Sequence, residues 1–166
     1  MSTFILLTVI QSLLITFDEF YFHHQRKLPR WERIGHPADS LTVLACLSFL
    51  VFAERTATHE MFYIVMAIGS CIFVTKDEWV HHKFCSAEEM WLHACLFMVH
   101  PFVLISAMTE WETSPLNLIF AAAGVFAFTV YQIVYWNFMA PKIEEAKTQA
   151  HYAKASQDEL YEYFGE

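Results

Sequence analysis

The sequence predicts an all-α integral membrane protein: a bundle of five transmembrane helices, the first four forming two repeated helical hairpins. Three observations carry this prediction. The 166 residues are 56% hydrophobic with only four glycines, above the roughly 45–50% apolar content of soluble domains. The apolar residues gather in five segments, 2–24, 31–53, 61–82, 87–108 and 116–140, each near the roughly 20 residues that span a bilayer. An acid–histidine pattern recurs in the first four segments.

Segment one is apolar from Ser2 to Phe17 with no Lys or Arg before it, and it runs straight into Asp18-Glu19. It lacks the basic leader of a signal peptide and reads as a mature helix. The uncharged runs of the first three segments, 2–17, 41–53 and 61–75, are too short to span alone. Each helix must take in neighbouring acids and histidines, which places Glu19, His23, His36, Glu78 and His82 at or inside the membrane boundary. Residues 1–141 form the transmembrane domain, with repeat one at about 2–53, repeat two at about 61–108 and the fifth helix at about 116–140. Residues 142–166 are a polar tail with helical charge spacing, such as Asp158 to Glu162. The tail reads as a solvated helix; the alternative is a helix that docks a protein partner through Tyr161, Tyr163 and Phe164 at its end.

Orientation follows from Lys and Arg. Arg26, Lys27, Arg30 and Arg33 follow segment one, Lys76 and Lys83 edge the next turn on that side, and the tail carries Lys142, Lys147 and Lys154. The opposite connections hold only Arg55. The positive-inside rule puts the N-terminus outside and the C-terminus in the cytoplasm. The formal charge of -8 and the absence of a basic stripe argue against nucleic acid as a partner. Cys46, Cys71, Cys85 and Cys95 include no Cys-x-x-Cys pair and read as small buried hydrophobic residues.

The first hairpin reads DEFYFHH, then ERIGHPAD; the second reads DEWVHH, then EEMWLHA. The pairs are Glu19/His23, Glu32/His36, Glu78/His82 and Glu89/His93. Residues four apart share one helical face, and all four pairs fall at the cytoplasmic ends of their helices. Four carboxylates and four imidazoles at one depth point to a metal site, since this donor mix suits iron, manganese or zinc. Eight ligands exceed the needs of one ion, so two or more are expected, with iron favoured. Asp18, Asp77, His24 and His81 are neighbours that can orient the ligating imidazoles. His100, one face-repeat deeper than His93, is a further ligand or supporting group. Two pairs have competing readings. Ser86 to Glu89 fits a capping box. A helix starting at Pro37 would break the Glu32/His36 geometry, in which case Asp39 substitutes.

The ligand logic resembles the di-iron carboxylate bundles of the ferritin-like class, in which paired Glu and Glu-x-x-His helices hold two ions. The spacing here is i,i+4, and every helix offers a His. Ligand type favours an oxidoreductase acting on a hydrophobic molecule held between the helices. The residues alone also fit a metal-dependent hydrolase of a lipid-like substrate, or a protein that senses, stores or is braced by metal. No heme, flavin or phosphate-loop motif is visible.

Overall fold

The computed structural model describes residues 2–26, 28–76, 78, 81 and 85–142. The predicted ligand His82, its neighbour Asp77 and the expected tail helix beyond Lys142 lie outside the described residues.

Helix α1, Thr3–Phe17, starts where the Ser2 hydroxyl accepts the Ile5 N–H. It continues without a break into a π-helical segment, Asp18–His23, and a last turn, His24–Arg26. Helix α2 is Arg30–Phe52, α3 is Ala57–Phe73, α4 is Ala87–Glu110 and α5 is Pro115–Val134. Thr56 caps α3 and Ser86 caps α4, each hydroxyl accepting an N–H three residues on. Pro115 sits in the first turn of α5, where its missing N–H costs no helical bond. A second π-helical segment, Tyr135–Met139, extends α5.

Four stretches are long and apolar enough to cross a membrane: Thr3–His23, Arg30–Phe52, Ala87–Glu110 and Pro115–Lys142. The segment predicted at 61–82 forms α3, which begins earlier and ends at Phe73. Its 17 residues reach about 25 Å at 1.5 Å per residue, short of a roughly 30 Å hydrocarbon core. The end has a local cause. The N–H groups of Thr75 and Lys76 bond back three residues, and the Thr75 hydroxyl donates to the Ile72 carbonyl.

The closest helix pairs are α1 with α4 and α2 with α5, and α3 lies beside α2 and α4. The main packing therefore lies within neither predicted repeat: α1 with α4 joins one repeat to the other, and α2 with α5 ties repeat one to the fifth helix. An apolar core of Phe4, Leu47, Leu50, Tyr63, Leu104 and Leu118 fills one end of the bundle. It is pinned by two buried polar tips: the Tyr63 hydroxyl donates to the Leu104 carbonyl, and the Trp111 indole to the Ala53 carbonyl. The other end buries polar groups instead. Large apolar side chains such as Leu13, Met61, Trp91 and Phe120 point outward, as they do when lipid is the solvent.

Candidate metal centre

Helix α2 begins at Arg30, so Pro37 lies inside the helix rather than at its start. Glu32 and His36 therefore share one turn, and the doubt over this pair is resolved in favour of the i,i+4 arrangement. Proline in a helix interior removes one backbone bond and crowds the preceding turn. Lys76 braces that region, donating to the Gly35 carbonyl at 3.4 Å and to both Asp39 oxygens at 2.8 and 2.9 Å. Asp39 is thus engaged by Lys76 and belongs to none of the ligand groups.

The π-helical segment decides the geometry of α1. Its wider turn spaces hydrogen bonds five residues apart, so His23 stands over both Asp18 and Glu19. His23 Nε2 lies 3.1 Å from Asp18 Oδ2, and Nδ1 lies 3.3 Å from Glu19 Oε2. The other oxygen of Glu19 accepts the indole N–H of Trp136, from the π-helical end of α5. His23 Nε2 also lies 3.9 Å from Glu89 Oε1. His93 Nε2 approaches Asp18 Oδ2 at 3.3 Å. Asp18, expected as a neighbour, is therefore in the inner group, and Glu19 hydrogen-bonds behind an imidazole. His24 turns away: it is exposed, bonded to the Glu19 carbonyl and stacked on Tyr135.

Four imidazoles follow one another across the bundle. Ring centroids are 4.7 Å apart for His23 and His36, 6.2 Å for His36 and His81, and 4.6 Å for His81 and His93. His36 Nε2 lies 3.9 Å from Glu32 Oε2, and His81 Nε2 lies 3.7 Å from Glu32 Oε1. His81, expected in a supporting role, is buried among these donors. Glu78 lies 3.9 Å from the other nitrogen of His81, but 41% of its side chain is exposed, and it joins no ligand group. Glu89 keeps only half of its predicted capping box. Its N–H bonds to Ser86, while its carboxylate is buried beside His23.

Three sets of donors converge within 4.8 Å: Asp18, His23, Glu89 and His93; His23, Glu32 and His36; and His81, Cys85 and His93. Asp18, Glu19, Glu32 and Glu89 are 6%, 1%, 0% and 2% exposed. Burying carboxylates side by side costs several kcal/mol each unless positive charge compensates. Several donors also lack ordinary partners. Asp18 Oδ1, His23 Nε2, His36 Nε2 and His93 Nδ1 are buried with no aligned hydrogen bond among the described residues. The closest donor separations, 3.1 and 3.3 Å, match the spacing of two ligands on one ion, about 3.0–3.4 Å when each bond is about 2.1 Å. The residues present fit a metal ion on geometry and on charge.

A cavity of about 120 Å³ runs from this cluster into the bundle. Asp18, His23, His36 and His93 form its polar end, and Ile15, Val43, Leu96, Phe97 and Phe128 form apolar walls. Gln11, Ser40, His100 and Gln132 add uncharged polar groups. Both ring nitrogens of His100 are engaged, Nδ1 with Gln11 at 3.2 Å and Nε2 with Ser70 at 3.0 Å. His100 therefore lines the cavity without joining the ligand groups.

Two residues at the cluster were not legible in the sequence: Cys85, which reads there as a small hydrophobic residue, and Trp136. A signal for Trp136 was present: Gln132 and Trp136 sit four apart in an otherwise apolar segment, on the face that is buried.

Fold and cluster together define an all-helical protein suited to a membrane, with His, Asp and Glu groups that can hold metal. The chain matches no family model, and no curated protein or solved structure matches it.

Proposed function

We propose that this chain is a membrane metalloprotein with a di- or multinuclear centre, acting as an oxidoreductase on a hydrophobic substrate. The observation that carries the reading is the convergence of buried carboxylate and imidazole donors at the mouth of an apolar cavity. Asp18, His23, Glu89 and His93 would hold one ion, and Glu32 and His36, sharing His23, a second. Iron is favoured, with zinc or manganese as alternatives, because the set mixes three carboxylates with three imidazoles. Ions of this class supply Lewis acidity, and iron also supplies redox chemistry.

The chain's own residues set the stage for that chemistry. Trp136 fixes Glu19, and Glu19 fixes the ring orientation of His23. The walls from Ile15 to Phe128 exclude water and receive the apolar body of the substrate, while Gln11 and Gln132 offer it hydrogen bonds. In this reading all five helices are membrane elements, with the N-terminus outside and the centre at the cytoplasmic end. The tail is left to dock a protein partner. Lys and Arg placement supports the orientation.

The test is anaerobic purification from cells supplied with iron, followed by metal analysis and exposure to oxygen. The proposal expects bound iron and an oxygen-dependent optical change that Asp18→Asn abolishes. Zinc as the sole bound metal, with no optical change in an iron-loaded sample, would replace the redox reading with a hydrolytic one.

A further inference from the structure

The third donor set differs in chemistry from the other two. His81 and Cys85 are four residues apart, and the Cys85 N–H donates to the His81 carbonyl at 2.8 Å. That is the bond of a helical turn, which puts positions i and i+4 on one face. His93 reaches the same place from the second turn of α4. Donor atoms of His81, Cys85 and His93 lie within 4.8 Å of one another. His81 and His93 are each 4% exposed. His93 supplies an independent pointer: its Nε2 faces Asp18, while its Nδ1 is buried with no hydrogen-bond partner among the described residues.

We propose that His81, Cys85 and His93 form a thiolate position of the centre that takes a borderline divalent ion of the zinc class. A thiolate with two imidazoles selects softer ions than a carboxylate-rich set does. The protein would therefore carry two chemically different ion positions joined through His93. The inference rests on the proposed carboxylate–imidazole centre only through that shared residue.

Cobalt(II) is the probe, because cobalt–thiolate bonds give a near-ultraviolet charge-transfer band that carboxylate and imidazole do not. Full-length protein in detergent, stripped by chelator, is titrated with cobalt(II) while bound ions are counted. The wild type should show the band. Cys85→Ser should lose the band and about one ion per chain, keeping the rest. Asp18→Asn with Glu89→Gln should lose ions but keep the band. Cobalt bound without a thiolate band, or a Cys85→Ser protein with unchanged band and count, overturns the thiolate position and leaves the carboxylate centre standing. A band and ion count insensitive to Asp18→Asn with Glu89→Gln overturn the carboxylate centre instead. Should Cys85→Ser fail to fold, alkylation of the wild type mapped by mass spectrometry decides the matter. Zinc(II) should shield Cys85 from a maleimide, and equal labelling with and without zinc contradicts the proposal.

Discussion

Trp136→Phe tests how the fifth helix serves the centre. Trp136 is 5% exposed and donates its indole N–H to Glu19, itself 1% exposed. Phenylalanine keeps an aromatic ring against Tyr135 and His24, whose centroids are 5.0 and 5.2 Å away, but removes the donor. A hydrogen bond to a charged group contributes about 1.5–3 kcal/mol. Glu19 orients His23, so the loss reaches the ligand face of that imidazole. At about 1.4 kcal/mol per decade, the metal dissociation constant should rise roughly 10- to 100-fold, the usual range for groups that orient a ligand. Competition with a chromophoric chelator in detergent measures the constant, and circular dichroism checks the helices. An affinity within about two-fold of wild type, with helicity intact, would refute the chain from Trp136 through Glu19 to His23.

Other substitutions separate the roles that the structure assigns. Asp18→Asn should cost at least about one bound ion per chain, whereas Glu78→Gln, half-exposed and outside the ligand groups, should leave the count unchanged. His100→Leu removes the partner of the Gln11 amide and leaves the Ser70 hydroxyl only Thr42, and should destabilise the fold by about 1–3 kcal/mol in a detergent melt, with no ion lost. Lys76→Met removes a partly exposed pair with Asp39 and a bond to Gly35, lowering stability by only about 1 kcal/mol. Chelation should lower the melting temperature, and added metal should restore it in proportion to the logarithm of its concentration once it exceeds the dissociation constant.

The helices and several members of the candidate donor cluster were legible in the sequence because both follow from local spacing. Glu32/His36 and Glu89/His93 are set by the helical turn, and the burial of Glu32 follows from the short uncharged run, 41–53, beside it. What stayed hidden depended on departures from that spacing or on distant parts of the chain. A π-helical turn leaves no periodic mark, so Asp18 looked rotated away from His23 when the wider turn places it beneath. Pro37 left a helix start there open because proline favours that position; Pro29 takes the cap instead, and Lys76 braces the region of the interior proline. Trp136 lies 117 residues from Glu19 in sequence, and only the packing of α5 brings them together. Cys85 had no cysteine partner to announce it; its companions are histidines four and eight residues away.

The central claim is that Asp18, His23, Glu32, His36, Glu89 and His93 hold metal together. Elemental analysis of the gently purified chain, set against protein concentration from amino-acid analysis, tests it most directly. About two or more transition-metal ions per chain are expected, falling to about one or fewer when Asp18, His23 and Glu89 are replaced together, since the His81–Cys85–His93 position contains none of the three. Fewer than about one ion per chain in the wild type, unchanged by that triple replacement and by metal supplied during growth, would contradict it.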